Sequence, residues 1–366
     1  MTAVHQFLPT FAPRDAIGTH ARHAQRILRG MGLDSDIFAE GIHRSGRRHA
    51  RPYRSYAARP PKGRTWLLYQ LSTGSAVAEF VSARPEAKLL NYHNVTTASL
   101  FAPWEPHVAV ECDEGRRQLR ELAPGVELGI AVSAFNEHEL RAAGCRATAV
   151  APVLVDLDGD GAEPDLGVLS ALAREKAAGG SDWVFVGRVV PHKCQHDLVR
   201  ALAAYRRLYD RRARLHLVGG AGSHAYVTTL QRYVAALGLS GAVHLHGSLG
   251  APALLAHLRA ADVFVCLSEH EGFCVPIVEA MRHEVPVVAY AAAAVPETVA
   301  GAGLLLGAKD PVTVAAAVHR VVTDHAVRGA LVAAGRRRAG EFTLERSSRR
   351  FAEVIASVVE GGGSDG

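Results

Sequence analysis

The sequence lacks any uninterrupted apolar run of the roughly 20 residues that cross a bilayer. Its first residues also lack a basic stretch followed by a long apolar core, so we expect no secretion signal. The five cysteines are scattered without a C-x-x-C pair, which favours neither a zinc cluster nor a disulfide framework. A reducing cytoplasm is the simplest location for such a chain.

The size and composition indicate two globular domains. The 366 residues exceed a typical domain of roughly 100 to 200 residues. Hydrophobic residues make up 48% and charged residues 21%, which suits a folded core and excludes a disordered chain or a fibre.

Basic charge is concentrated in two stretches. The sequence pI is about 9.0, but the basic residues lie mainly in 43–64 and 336–350. The first stretch interleaves Tyr53 and Tyr56 with arginines, which leaves three interpretations open: a solvated loop, an anionic acceptor or inner-membrane surface, or nucleic acid. We favour the solvated loop, keep peripheral membrane contact through 43–64 as the alternative, and expect no nucleic acid.

The second half has the pattern of a parallel sheet. Short apolar runs alternate with longer amphipathic segments such as 225–237 and 276–282, as in strand–helix–strand units. The predicted strands are Trp183–Gly187, Arg214–Val218, Val243–Gly247, Asp262–Leu267 and Pro286–Tyr290. This half is predicted to be a doubly wound α/β sheet.

The first half repeats this pattern less regularly, with Gly18–Met31 as its first helix. Its predicted strands are Ala3–Phe7, Asp36–Ala39, Trp66–Leu71, Lys88–Tyr92 and Leu128–Ser133. We therefore expect an N-terminal Rossmann-like domain (1–155), a linker (156–180), a C-terminal Rossmann-like domain (181–340), and a terminal helix with a frayed tail (341–366). Apolar residues at helical spacing predict that the terminal helix docks one face.

A loop and helix start after the strand Asp262–Leu267 carry the most informative residues. Gly272–Cys274 precede Pro276, a residue suited to the first turn of a helix, so their backbone N–H groups are placed to bind an anion. Glu271 lies before the helix and Glu279 about one turn inside it. Two such carboxylates can hold hydroxyls at opposite ends of one ligand, which suits a sugar nucleotide.

A second element follows the strand Trp183–Gly187. Arg188 and Lys193 lie after this strand, and two cations there would stabilise a diphosphate, above all one that gains charge as it departs. Taken singly, these residues have a simpler interpretation as solvated surface charges. Their occurrence on consecutive Rossmann elements favours a shared site.

The residues of these two elements resemble the signature of a known family. Gly187-Arg188 with Lys193, then Glu271-Gly272-Phe273-Cys274 and Glu279, is similar to the signature of family-4 retaining glycosyltransferases (glycosyl transferases group 1). The resemblance implies the α/β GT-B fold, in which two Rossmann-like doubly wound domains face across a cleft and a C-terminal helix crosses back. Tyr92-His93-Asn94 fits the histidine segment of the family's first domain.

The resemblance also implies residue roles. Arg188 and Lys193 would hold the donor diphosphate, Glu279 the ribose hydroxyls, and Glu271 with the following backbone the transferred sugar. Cys274 stands where glycine is common in the family. The expected catalytic residues are Glu271, Arg188, Lys193 and His93, and the expected donor-binding residues are Gly187, Gly272, Phe273, Cys274, Val275 and Glu279.

Further candidates lie in the first half. Asp15 or Arg14 would meet the acceptor, or Asp15 caps the first helix. Gly18 would let the backbone approach a phosphate closely. His93 is expected to contact the donor sugar under the resemblance, although a lone histidine is commonly structural. His244 and His246 alternate along a strand and share a face, but without a third ligand we favour structural roles.

The sequence thus predicts transfer of a sugar, with retention of configuration, from a nucleotide diphosphate to a glycan, lipid-linked or small-molecule acceptor. Electrostatic stabilisation would be the main catalytic effect, so we expect no metal and no cofactor. The alternatives are a sugar-nucleotide epimerase or hydrolase of the same fold, and a non-catalytic protein that binds nucleotide sugars.

Overall fold

The computed structural model describes residues 2–12, 15–58, 63–157 and 161–360. The chain divides into two compact units. The first contains the residues up to 102, then 106–155 and the chain from 343, and the second contains 103–105 and 156–342. Within the described part, no helix has the length and apolar character needed to cross a membrane.

The first unit contains a parallel sheet of seven strands. In chain order these are β1 (Ala3–Phe11), β2 (Ile37–Ile42), β3 (Arg51–Pro52), β4 (Thr65–Leu71), β5 (Ala87–Tyr92), β6 (Leu128–Ala131) and β7 (Thr148–Val150). Their order in the sheet is β3-β2-β1-β4-β5-β6-β7. Every residue of β4 is buried, as expected for a central strand covered on both faces.

The second unit contains a parallel sheet of six strands. These are β8 (Asp182–Val186), β9 (Arg214–Val218), β10 (Val243–Gly247), β11 (Val263–Cys266), β12 (Val287–Tyr290) and β13 (Leu304–Leu306). Their order is β10-β9-β8-β11-β12-β13, so the strand order reverses between β8 and β11. In such sheets, ligands bind outside the carboxyl ends of the two strands at the reversal.

Thirteen described α-helices connect the strands. They are α1 (Ala16–Gly30), α2 (Ala76–Ser82), α3 (Pro106–Leu122), α4 (Ala134–Ala142), α5 (Leu166–Ala177), α6 (Gln195–Leu208), α7 (His224–Ala236), α8 (Ala251–Ala260), α9 (Val275–Arg282), α10 (Val295–Val299), α11 (Pro311–Thr323), α12 (His325–Ala339) and α13 (Leu344–Val359). Helices between parallel strands complete two Rossmann-like units, as predicted.

All ten predicted strands are present, with ends shifted by a few residues. The sequence missed β3, β7 and β13, which have only two or three residues each and therefore show no periodicity. The segment 156–180, expected to be a linker, instead contains α5. This helix is capped by the side chain of Asp165 and packs against α8.

The terminal helix α13 belongs to the first unit. It packs against α1, and its Phe351 and Ile355 are fully buried with Leu28 in one apolar cluster. The tail predicted to fray, 361–366, lies outside the described residues.

The basic stretch differs from the surface that its sequence suggested. Tyr53 and Tyr56 are 8% and 2% exposed, and the Tyr56 hydroxyl donates to Glu86 Oε1 at 3.0 Å. The two tyrosines are therefore part of the core, because their rings pack against the sheet and α2. Arg59 and Lys62 lie outside the described residues, and membrane contact through 43–64 stays a prediction.

Candidate active site

The reversal between β8 and β11 brings the two predicted elements of the second unit together. Gly187, Arg188 and Lys193 follow β8, and Glu271 to Val275 follow β11. Because β8 and β11 are neighbouring parallel strands, both segments leave the same edge of the sheet.

Lys193 and Glu271 form a direct ion pair. Lys193 Nζ lies 2.6 Å from both carboxylate oxygens of Glu271, and the two side chains are 18% and 6% exposed. Burial alone would lower the pKa of Lys193, but the adjacent Glu271 carboxylate outweighs this effect and the pKa is raised. Lys193 is therefore a cation held against a carboxylate, in a place with little water.

The helices α6 and α9 begin in an unusual way. Each is preceded by a cysteine in the left-handed conformation, Cys194 at φ 52° and Cys274 at φ 68°, and neither side chain caps its helix. By contrast, Ser223 and Asp324 cap α7 and α12. Within the described residues the first N–H groups of α9 have no side-chain acceptor, whereas in α6 the His196 N–H donates to the Tyr226 hydroxyl at 3.2 Å. Uncapped N–H groups at the start of a helix favour the binding of an anion.

The left-handed backbone explains why glycine is common at position 274 in the resembled family. A residue with a Cβ is strained in this conformation, whereas glycine is not. The Cys274 thiol is buried, and one atom each of Cys266, Glu271 and Cys274 lie within 4.8 Å of one another. Its hydrogen bond with Cys266, together with burial, raises the pKa of Cys274 well above the ordinary thiol value, so a neutral thiol lies beside Glu271.

Glu279 lies in α9, partly buried. Among the described residues its carboxylate makes no hydrogen bond or ion pair. Burial raises the pKa of Glu279 to about 7. An unpaired, poorly solvated carboxylate of this kind is common where a ligand supplies the missing partners.

Arg188 is exposed, and its side chain has no ion-pair partner within the described ranges. Its backbone carbonyl accepts a hydrogen bond from Gln195 Nε2 at 2.9 Å, which anchors the loop to α6. Burial, together with the charges of Lys193 and Arg188, holds the pKa of His192 well below its usual range. Arg188 is therefore a cation available to an external anion at this edge of the sheet.

The family model of glycosyl transferases group 1 matches residues 174–338, which lie within the second unit. This unit belongs to the glycosyl transferases group 1 family.

Two curated relatives carry related names. A D-inositol 3-phosphate glycosyltransferase from Geodermatophilus obscurus is 34% identical over 232 residues, which are 59% of this chain and 48% of that protein. A GDP-mannose-dependent alpha-(1-6)-phosphatidylinositol monomannoside mannosyltransferase from Mycobacterium tuberculosis is 30% identical over 231 residues, 60% of this chain and 59% of that protein. The chain thus spans about half the length of the curated relatives it matches.

The fold is also shared with solved structures. Sucrose-phosphate synthase from Thermosynechococcus elongatus superposes with a TM-score of 0.76 at 18% identity, covering 98% of this chain and all of that chain. This likeness supports the fold alone, and it confirms the GT-B architecture of two Rossmann-like domains.

An ion-pair network that the sequence did not predict lies beside the segments that follow β8 and β11. Lys309, which precedes α11, lies 2.8 Å from Asp197 Oδ2 in α6 and 2.6 Å from Glu269 Oε1 after β11. It therefore links three segments of the second unit. No motif marks Lys309, so only the fold reveals this role.

Gly219, in the glycine-rich segment 219–222, has a packing role next to Gly187. A Cβ at Gly219 would lie 2.0 Å from the Gly187 carbonyl oxygen, and Gly187 N–H donates to Val218 O at 2.8 Å. Only glycine permits this approach of two backbones, which holds the loop that carries Arg188.

In the first unit, a directed chain of hydrogen bonds fixes His93. Gln6 Nε2 donates to the Ala21 carbonyl, Gln70 Nε2 donates to Gln6 Oε1, and His93 Nε2 lies 2.6 Å from Gln70 Oε1. Because Gln70 Oε1 can only accept, His93 Nε2 carries the proton and Nδ1 is left as an acceptor. Burial lowers the pKa of His93 to about 3, so the ring is neutral.

The first helix gives two different outcomes. Asp15 precedes α1, but its side chain makes no capping hydrogen bond, so of its two predicted roles the capping one is absent. Arg14, the other candidate for the acceptor, lies outside the described residues. Gly18 has a packing role that the sequence did not predict, and its approach to a phosphate stays a prediction. A Cβ there would lie 2.0 Å from the Ala12 carbonyl oxygen, so the glycine permits close packing of the preceding loop.

His244 and His246 share a strand face, as the alternation predicts, but they are not alone. His216 and His257 lie against them, with His216 Nδ1 at 3.1 Å from His246 Nε2. Further histidines therefore lie beside the pair, and the structural role predicted for His244 and His246 stays a prediction. The two additional histidines were not predicted because β9, β10 and α8 come together only in the fold.

Proposed function

We propose that this protein is a retaining glycosyltransferase, which moves a sugar from a nucleotide diphosphate onto a hydroxyl of an acceptor. The observation that carries the proposal is the Lys193–Glu271 ion pair at the strand reversal of a group 1 domain. On the same two segments lie Arg188 and Glu279, suited to a diphosphate and to hydroxyls, whose side chains make no ion pair in the part of the chain that the structure describes.

The diphosphate is bound by positive charge and backbone N–H groups. Arg188 has no ion-pair partner within the described ranges, Lys193 is a largely buried cation, and α9 begins without a side-chain cap. Such groups stabilise the charge that develops on the departing diphosphate, and they act more strongly where water is excluded. Gly272, Phe273 and Val275 contribute through their backbones.

The hydroxyls are bound by the two carboxylates. Glu271 already accepts from Lys193 with both oxygens, and each oxygen retains a lone pair for a sugar hydroxyl. Glu279 has no internal partner among the described residues, so it can accept hydrogen bonds from the ribose. The resemblance gives the two residues these same roles.

In the reaction, the bond between the anomeric carbon and the β-phosphate oxygen breaks, and its electron pair leaves with the diphosphate. The acceptor oxygen bonds to the same carbon on the same face, which retains the configuration. The acceptor's proton passes to the departing phosphate oxygen. Each of these steps uses electrostatic stabilisation and positioning by the groups named above.

We further propose ligand-binding roles for two residues of the first unit. His93 is neutral, and its Nδ1 is left as an acceptor, which suits a sugar hydroxyl. Asp15 is exposed and does not cap α1, so we assign it to the acceptor. The two curated relatives are named for substrates that contain inositol, and we therefore place polyols of this class first among the acceptors to be tested.

The experiment has two stages. Thermal unfolding with UDP, GDP and ADP identifies the nucleotide, because a ligand that binds only the folded state raises the Tm. The matching sugar nucleotide is then incubated with and without inositol-type polyols, and nucleotide diphosphate release and the anomeric coupling of the product are measured. Release that needs an acceptor and gives a retained anomer supports the proposal. Release or rearrangement without an acceptor indicates a hydrolase or an epimerase, and binding without turnover indicates a non-catalytic protein.

A further inference from the structure

Four histidines of the second unit meet in one cluster that the proposed transfer reaction does not use. His216 lies on β9, His244 and His246 on β10, and His257 on α8. Residues 216 and 244 are direct partners in the parallel pairing. His244 and His246 share a face because side chains alternate along a strand, and α8 places the fourth ring 4.3 Å, centroid to centroid, from that of His246.

Three of these side chains converge as metal ligands do. His216 Nδ1 and His246 Nε2 lie 3.1 Å apart, and one ring nitrogen each of His216, His246 and His257 lie within 4.8 Å of one another. Imidazole nitrogens about 2.0 to 2.1 Å from a tetrahedral Zn²⁺ are separated by roughly 3.3 Å. Small rotations of the rings would reach this geometry.

The tautomer of His216 is set for ligation. Its Nε2 lies 3.3 Å from Asp182 Oδ1, and the same carboxylate is held by Arg214 at 2.7 and 3.1 Å. A carboxylate can only accept, so Nε2 carries the proton and the lone pair of Nδ1 points to the cluster. A carboxylate behind a ligating histidine is the usual second partner at zinc sites.

The cluster also contains buried nitrogens without a protein partner. Within the described residues, His257 Nδ1 and His244 Nε2 are buried and make no hydrogen bond. His216 and His257 are 4% and 5% exposed. Buried polar atoms normally have partners, and two such nitrogens inside a group of imidazoles favour a bound cation in the cluster.

We propose that this cluster binds one Zn²⁺ through His216, His246 and His257, with water in the fourth position. Asp182 orients His216 from behind. Neutral imidazole is a preferred ligand of zinc among divalent cations, whereas Mg²⁺ prefers oxygen ligands. The ion would join α8 to β9 and β10, so its role is to stabilise the second unit.

The test uses the full chain after removal of any affinity tag. Protein stripped with a chelator is titrated with Zn²⁺, and with Mg²⁺ as a control, by calorimetry and thermal unfolding. We expect one Zn²⁺ per chain, a raised Tm, and no response to Mg²⁺. X-ray absorption of the zinc-loaded wild type should show a first shell of nitrogen and oxygen with three imidazoles and no sulfur.

Two ligand variants and one control complete the design. His257→Gln and His216→Asn should each weaken Zn²⁺ binding more than about tenfold, whereas His224→Ala, an exposed histidine on α7, should bind as the wild type does. Absence of stoichiometric zinc in the wild type would overturn the proposal, as would unchanged affinity in both ligand variants. Should a variant fail to fold, the absorption spectrum of the wild type decides, and a shell without three imidazoles counts against the site.

Discussion

Lys193 places its ammonium 2.6 Å from both carboxylate oxygens of Glu271, 78 residues further along the chain. Both side chains are largely buried, so each charge depends on the other. Removal of one partner from such a pair leaves an uncompensated buried charge and typically costs about 3 to 5 kcal/mol.

The first prediction concerns this pair. Lys193→Met and Glu271→Gln should each destabilise the protein, and the double variant should recover most of the loss, because it leaves neither charge alone. All three variants should lose most of their turnover, since both groups act in the proposed site. Urea unfolding of the four proteins measures the coupling. Additive losses of stability would show that the two residues act independently.

The second prediction concerns the left-handed residue before α9. Cys274→Gly removes a backbone strain of roughly 1 to 2 kcal/mol. It also loses a small buried side chain and raises the conformational entropy of the unfolded chain, and both of these effects are destabilising. The free energy of unfolding should therefore change by less than about 1 kcal/mol, with activity retained. Cys274→Val should lower the free energy of unfolding by about 2 kcal/mol or more, because a β-branched residue is strongly disfavoured at positive φ.

The control for this prediction is Cys112→Val, a change of similar volume at a buried position in α3. It should cost less than about 1.5 kcal/mol. Equal losses in the two valine variants would show that the backbone conformation at 274 is not the cause.

The third prediction follows from the raised pKa of Glu279, about 7 in the folded protein against about 4.3 when unperturbed. A group with a raised folded pKa contributes stability that is present below the unfolded pKa and is lost as pH rises through the folded pKa. Relative to Glu279→Gln, the free energy of unfolding of the wild type should therefore fall by up to about 3 kcal/mol between pH 4.5 and 8.

Urea unfolding of both proteins at several pH values measures this difference. The exposed Glu360→Gln variant is the control and should show no such divergence from the wild type. If the difference in free energy of unfolding between the wild type and Glu279→Gln does not change with pH, the pKa of Glu279 is not raised by folding.

Much of the fold was predictable because its strands are apolar runs bounded by turns. β8 to β12 follow such runs closely, since parallel strands are buried on both faces. The contact between Lys193 and Glu271 was not predictable from spacing, because it depends on which strands become neighbours. For the same reason the sequence did not predict the contacts of Lys309 and His257, whose partners come from other elements.

The fourth prediction concerns His93, whose pKa burial lowers to about 3. A histidine with a lowered folded pKa contributes stability that is present above its unfolded pKa, near 6.5, and is lost as pH falls towards the folded value. NMR of the ring should show a neutral imidazole, protonated at Nε2, from pH 8 to 5. Titration of the wild-type ring near pH 6.5 would contradict this assignment.

A variant of its partner tests the cause. Gln70→Glu places a carboxylate at the acceptor 2.6 Å from His93 Nε2, and a neighbouring negative charge favours the imidazolium. The pKa of His93 should rise, so that the ring titrates within the range where the wild type does not. An unchanged spectrum would mean that Gln70 does not contact the ring in solution.

The most direct test of the donor site is calorimetric binding of the nucleotide diphosphate that stabilises the protein most. Arg188→Ala removes an exposed cation that makes no ion pair with any described residue. The protein should therefore fold normally and bind the diphosphate about tenfold or more weakly, as expected for a charge-assisted contact. Arg232→Ala, an exposed arginine on α7, should bind as the wild type does. Equal affinity in Arg188→Ala and the wild type would contradict the account.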